Sequence, residues 1–245
     1  MDYSQLPTEI DERGLLIINS FFSAAKTDEI EAEVRRYIEK IGEADAQSLK
    51  GHVVFEAGEE RKIRNIFHIH KAAPYFDELA RSSTFVDLFR ALFNDEPVLM
   101  SVELFGKPAR VGSEVPYHQD NAYFNLVPAD AITIWVALAE ATESNGCVRY
   151  IEGSHKYGNL PHHASGVKGN SMRLTDLPKD AGAEICGTVP RGGALIHHCN
   201  TIHRSERNDS ANDRPGLLFV YKAARCEIDH ERVAKYQQAL ALSNA

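Results

Sequence analysis

The sequence predicts a mainly β domain with helices before the β core and one helix after it. Three observations carry that prediction. From residue 98 onward the chain holds five short segments rich in β-branched and aromatic residues. Gly, Pro, Asn and Asp punctuate the intervals between them, at a spacing that suits a sandwich or barrel. Before Asn94, apolar residues recur instead at helical spacing.

Taken in order, Gly14-Leu15-Leu16-Ile17-Ile18 reads as an early strand. Thr27 is the expected cap of a helix over 28–41, whose stripe is Ile30, Val34, Tyr37, Ile38 and Ile41. Position 30 is Ile, so no capping box forms, but Asp28, Glu29 and Glu31 put negative charge in the first turn, where the helix dipole favours it. Two short helices are expected over 74–80 and 84–93. The strands are expected over 98–105, 131–138, 148–151, 194–197 and 215–221. Residues 153–180 are polar and hold several glycines, which reads as a long loop able to close over a site. A last helix is expected over 230–242.

With 245 residues, 43% of them hydrophobic and 25% charged, the chain reads as one globular domain over 1–245. The formal charge of -8 argues against a nucleic-acid binder, which needs a basic face. Arg61-Lys62-Ile63-Arg64 is nonetheless a local basic cluster. No apolar run reaches membrane-spanning length, and the polar stretch from Met1 to Glu9 does not read as a secretory signal. Cys147, Cys186, Cys199 and Cys226 form no CxxC pair, so reduced thiols and a cytoplasmic location are expected.

The chemistry concentrates in Tyr117-His118-Gln119-Asp120. In extended backbone, His118 and Asp120 point the same way. A third ligand from a distant strand completes a face of two imidazoles and one carboxylate with open positions, which suits Fe(II). His197, His198 and His203 all compete for that place. His203 is preferred because Ser205, Asn208 and Arg214 follow it in a pattern that makes sense as a unit. His197 and His198 alternate in direction, so at most one faces the core, and each reads first as a hydrogen-bonded histidine. Arg214 has the geometry for a two-pronged grip on a carboxylate, with Ser205 as a further donor.

The chain resembles the phytanoyl-CoA dioxygenase family of Fe(II)- and 2-oxoglutarate-dependent oxygenases. The resemblance rests on the segment from Tyr117-His118-Gln119-Asp120 to Phe124, on Trp135-Val136-Ala137-Leu138, on Asn145-Gly146-Cys147, on Gly153-Ser154-His155-Lys156, and on His203-Arg204-Ser205 through Asn208 to Arg214. It implies a double-stranded β-helix (jelly-roll, cupin-like) core. It implies His118, Asp120 and His203 as iron ligands, and 2-oxoglutarate chelating that iron with its far carboxylate on Arg214 and Ser205. By analogy Met100, Lys62 and Trp135 line the cosubstrate site, although core packing accounts equally for Met100 and Trp135, and solvated charge for Lys62. In such enzymes O2 converts 2-oxoglutarate to succinate and carbon dioxide, and the oxidised iron attacks a C–H bond of the substrate. Family halogenases lack the carboxylate that Asp120 supplies, so hydroxylation or another oxidation is expected.

The expected substrate is a small metabolite, with anionic ones among the candidates. Asn121, Tyr123 and Phe124 follow the ligands directly and suit a polar molecule with an apolar portion. Arg64 and Arg149 are the cations expected to touch it, with His68, His70, Lys107 and Arg110 as others, against the plainer reading of solvated surface charge. The main alternative is a jelly-roll binding protein that is non-catalytic or holds another metal. A metal-dependent hydrolase ranks lower, since no HExxH helix is present.

Overall fold

The computed structural model describes residues 5–44, 49, 51–59 and 61–243; Met1 to Ser4, part of the polar start read above, lie outside them. Helix α1 (Leu6–Arg13) leads into β1 (Leu15–Ile18) and α2 (Ala24–Gly42). Strands β2 (Val53–Phe55) and β3 (Ile63–Ile66) and helices α3 (Ile69–Ala72), α4 (Pro74–Ala80) and α5 (Ser83–Phe93) precede β4 (Pro97–Lys107). Then come β5 (Val115–His118), one-turn α6 (Asn121–Phe124), β6 (Leu126–Val127), β7 (Ala131–Ala137) and β8 (Val148–Ile151). The chain continues through β9 (His162–Val167), β10 (Asn170–Leu174), β11 (Glu184–Gly187), β12 (Ala194–His198) and β13 (His203–Ser205). It closes with β14 (Arg214–Ala223), β15 (Glu227–Ile228) and α7 (His230–Ser243). Among the described residues no helix is long and apolar enough to cross a membrane.

A seven-stranded sheet runs β1-β12-β7-β14-β4-β3-β2, and a four-stranded sheet runs β11-β8-β13-β5. They are the two sheets of a jelly roll. Strand alternation divides the larger sheet cleanly. On β14, Leu217, Phe219 and Tyr221 enter the main apolar core, while Arg214, Leu218 and Val220 line a cavity on the other face. On β4 the core takes Val102 and Leu104, and the cavity takes Glu103, Phe105 and Lys107. Strand β7 is buried at every position, as a central strand covered on both faces must be.

The helices cover the outer face of that sheet. Phe85 of α5 stacks on Phe219 at 4.1 Å, and Phe89 stacks on Tyr221 at 4.0 Å. The expected stripe of α2 is buried at Ile30, Val34, Tyr37 and Ile41. Its cap is Ser23 rather than Thr27: Ser23 has extended backbone and accepts from the Lys26 N–H at 3.2 Å. Thr27 lies inside the first turn and donates to the Ser23 carbonyl instead.

The expected loop over 153–180 is mostly structured. After a 3-10 turn at Ser154–Tyr157, β9 and β10 form an antiparallel hairpin joined at Lys168-Gly169. Gly169 takes φ 75°, which a side chain disfavours. The hairpin escaped the sequence reading because β9 is His-His-Ala-Ser-Gly-Val, poor in strand formers, and only Met172 and Leu174 of β10 supply buried apolar anchors.

Candidate metal and cosubstrate site

His118 ends β5, and His203 opens β13 directly opposite it across an antiparallel pair. Their rings lie 4.1 Å apart between centroids. Asp120 is not on extended backbone as the sequence reading supposed. It sits at φ -60°, ψ -32°, ahead of α6. The chain turns there because the Asn121 N–H is taken by the Cys199 carbonyl and the Ala122 N–H by that of Gln119. Gln119, fully buried, pins the turn through bonds to the Asn200 and Gly158 carbonyls and from the Leu160 N–H. The convergence of His118 and Asp120 therefore comes from a stitched turn.

The Asp120 Oδ1 lies 3.7 Å from His118 Nε2 and 3.6 Å from His203 Nε2. One ligand atom from each of the three falls within 4.8 Å of the others. Each ring has its other nitrogen committed: His118 Nδ1 donates to the Pro116 carbonyl at 2.9 Å, and His203 Nδ1 donates to that of Thr201 at 2.9 Å. That fixes the tautomer and leaves both Nε2 lone pairs facing inward, as in metal-binding imidazoles. Burial lowers the pKa of both histidines and so favours neutral rings. Burial acts to raise Asp120, but the surrounding imidazoles outweigh it and keep the carboxyl ionised.

The remaining oxygen of Asp120 is also occupied. Thr133 Oγ1 donates to Oδ2 at 2.8 Å, and His197 Nε2 lies 3.1 Å from the same atom. Tyr150 holds the other nitrogen of His197 at 3.2 Å. His197 is thus the inward-facing member of the His197-His198 pair, and it orients the carboxylate. The sequence reading missed Thr133, whose position in an apolar strand gave no signal.

The cavity between the sheets has a volume of about 220 Å³, the scale of small metabolites. Arg214, Ser205 and Trp135 line it together with the three ligand candidates. Arg214 is buried, and its Nε and Nη1 have no hydrogen-bond partner among the described residues. Its guanidinium lies 4.9 Å from the Trp135 ring centroid. Gly216 makes room for that indole, since a Cβ there would fall 2.0 Å from it. Lys107 faces Arg214 in register across β4 and β14 and donates to the Ser113 carbonyl at 2.5 Å. Burial first, then the charges of Arg214 and Arg64, bring the Lys107 ammonium down to about 6. Sequence reasoning had placed Lys107 only among general cations.

Other expected residues are placed differently. Lys62 is exposed before β3, and Met100 packs against the main core; neither lines the cavity. Met100 falls on the core side because the cavity-facing positions of β4 are Glu103, Phe105 and Lys107. Asn121 is fully buried and clamps both backbone groups of Leu126. Arg149 lies off the cavity, paired with Glu184 at 3.2 Å and Glu143 at 2.7 Å. Arg64 does line the cavity, but it is bound to Glu56 at 3.3 Å and the Glu114 carbonyl at 3.1 Å. Tyr123 and Phe124 line the cavity as expected, and the Tyr123 hydroxyl donates to Asn170 Oδ1 at 2.9 Å.

Comparison with known proteins agrees with this fold. The model of the family phytanoyl-CoA dioxygenase (PhyH) matches residues 10–216. A probable alpha-ketoglutarate-dependent hypophosphite dioxygenase of Stutzerimonas stutzeri is 30% identical over 230 residues, 91% of this chain and 79% of that protein. An ectoine dioxygenase of Sphingopyxis alaskensis is 26% identical over 231 residues, 87% and 73% of the two chains. The crystal structure of EctD from S. alaskensis with 2-oxoglutarate and 5-hydroxyectoine shares the fold, with TM-score 0.74 over 92% of this chain and 78% of that one at 22% identity. Because the family match extends through all three ligand candidates and Arg214, the chain belongs to the phytanoyl-CoA dioxygenase family and is a 2-oxoglutarate-dependent dioxygenase.

Proposed function

We propose that His118, Asp120 and His203 hold Fe(II), and that Arg214, Ser205 and Lys107 receive the far carboxylate of 2-oxoglutarate. The observation that carries this reading is a matched pair of unmet needs. Two imidazole Nε2 atoms and Asp120 Oδ1 face one point, and a buried guanidinium of the same cavity has two nitrogens unpartnered among the described residues. Buried polar groups are paired in the great majority of native proteins, so a dianion beside Arg214 fits. Bound there, iron and 2-oxoglutarate supply oxygen activation coupled to decarboxylation to succinate.

The chain's own groups do the positioning. Thr133 and His197 hold Asp120 Oδ2 and aim Oδ1 at the histidines. Trp135 backs Arg214. Phe67, Phe105, Phe124, Leu218 and Val220 wall the cavity and keep water from the reacting C–H bond. The product is a hydroxylated or otherwise oxidised small metabolite, made by one domain comprising the whole chain. The four free thiols support a cytoplasmic setting.

The test is succinate release with Fe(II), O2 and 2-oxoglutarate. Wild type should release succinate, and His118→Ala should lose at least 100-fold. Binding of 2-oxoglutarate without Fe(II)-dependent succinate would instead identify a binding protein.

A further inference from the structure

The cavity floor along β4 and β14 is electrically polarised. Lys107 and Arg214 are paired in register at one end, Phe105 and Gly216 lie between, and Glu103 faces Leu218 at the other end. Four residue steps of strand separate Lys107 from Glu103, about 13 Å along the chain. The cationic end is matched by the dianion proposed above, and the inference here rests on that reading. The acidic end has no such match.

Among the described residues, the Glu103 carboxylate has one hydrogen-bond donor, Ser101 Oγ at 2.7 Å, and no cation. Ser101 Oγ also lies 3.0 Å from His68 Nδ1. Arg64 and Arg204, the remaining cations of the lining, are paired with Glu56 and with Glu184 and Glu206 respectively. Burial, assisted by nearby Asp120 and opposed by the Ser101 bond, pushes the Glu103 carboxyl up to about 7. A cationic group entering the cavity supplies the counter-charge that the described residues do not.

A second observation comes from the adjoining strand. Asn65 of β3 pairs in register with Phe105 and lines the same cavity. It is 1% exposed, and neither its amide oxygen nor its amide nitrogen has a partner among the described residues. Gly169 of the β9–β10 turn closes over it, with space for a Cβ only 3.1 Å from Asn65 Oδ1. The adjacent Asn170 also lines the cavity, and its Nδ2 is likewise unpartnered among the described residues. An uncommitted carboxylate oxygen and two amides thus wait on one ligand, with aromatic and aliphatic walls around them.

We propose that Glu103, Asn65 and Asn170 form the substrate-recognition site, and that the substrate is a small molecule bearing a protonated amino group and further hydroxyl or amide groups. The ammonium donates to Glu103, and the neutral polar groups bond to Asn65 and Asn170. The cations expected from sequence to bind an anionic substrate are held elsewhere, Arg64 by Glu56 and Arg149 by Glu184 and Glu143. A half-buried carboxylate also repels an anion there.

The experiment is succinate release by Fe(II)-loaded enzyme against a panel of amino acids, amino alcohols, amino sugars and polyamines. Each is paired with its same-sized hydroxyl and carboxylate analogue. Amines should stimulate at least tenfold over their analogues. In Glu103→Gln the kcat/KM ratio of the best amine over its alcohol analogue should fall at least tenfold, a ratio that is independent of how much enzyme folds. In Asn65→Leu the KM for that amine should rise at least fivefold. The inference is overturned if the carboxylate or alcohol members stimulate best, if no amine stimulates, or if Glu103→Gln leaves the ratio unchanged. A failure of the iron reading looks different: no Fe(II)-dependent succinate appears at all, with or without any panel member, and this inference falls with it.

Discussion

At the scale of single residues, the site depends on what holds each ligand as much as on the ligand itself. Asp120 Oδ2 is claimed by Thr133 and His197. Removing such outer partners typically costs 10–100-fold in metal affinity. We therefore expect Thr133→Val and His197→Phe to weaken Fe(II) binding about tenfold, read by anaerobic metal titration, with the fold retained. Lys107 gives a pH signature. Its folded pKa, about 6, lies below its ordinary value, so between those limits the unfolded chain binds more protons and stability without cosubstrate rises with pH. A carboxylate beside Lys107 restores the ammonium. Binding of 2-oxoglutarate should then take up a proton at pH 7.5, and its affinity should fall as pH rises above about 6. Calorimetry in two buffers of different ionisation enthalpy measures that uptake, and Lys107→Met should abolish it.

At the scale of elements, one glycine on β14 shapes the proposed cosubstrate end. A side chain at Gly216 collides with the Trp135 indole, on which Arg214 rests. Gly216→Val should weaken 2-oxoglutarate binding at least tenfold in a thermal-shift titration. Leu217→Val, one residue along but facing the core, should lower stability without that effect. The β9–β10 hairpin is latched by the Tyr123 hydroxyl, which reaches both Asn170 and the backbone of Met172. Tyr123→Phe should speed amide exchange in 162–174 while leaving β7 and β14 protected. Helix α5 is a packing element: Phe85 is fully buried on Phe219. Phe85→Ala should cost roughly 3–5 kcal/mol in urea unfolding.

At the scale of the whole molecule, two sheets bring distant chain segments to one point. His118 and His203 are far apart in sequence yet opposite in register, and Asp120 joins them through a turn pinned by Gln119. Strand formers, helical stripes and the spacing of His118, Asp120, His203 and Arg214 were readable along the chain, because period and side-chain chemistry are local properties. The hairpin over 162–174 was not readable, because its strands owe their pairing to Met172 and Leu174 anchors and to the Tyr123 latch rather than to β propensity. Nor was the fate of Arg149 and Arg64. Only the fold supplies Glu184, Glu143 and Glu56 as their partners. The sequence by itself determined the residue types that can bind iron and a carboxylate, and with them the reaction class. Tertiary structure alone decided which charges find no ion-pair partner among the described residues, Arg214 at one end of the cavity and Glu103 at the other, because pairing depends on contacts between strands and loops distant in the chain.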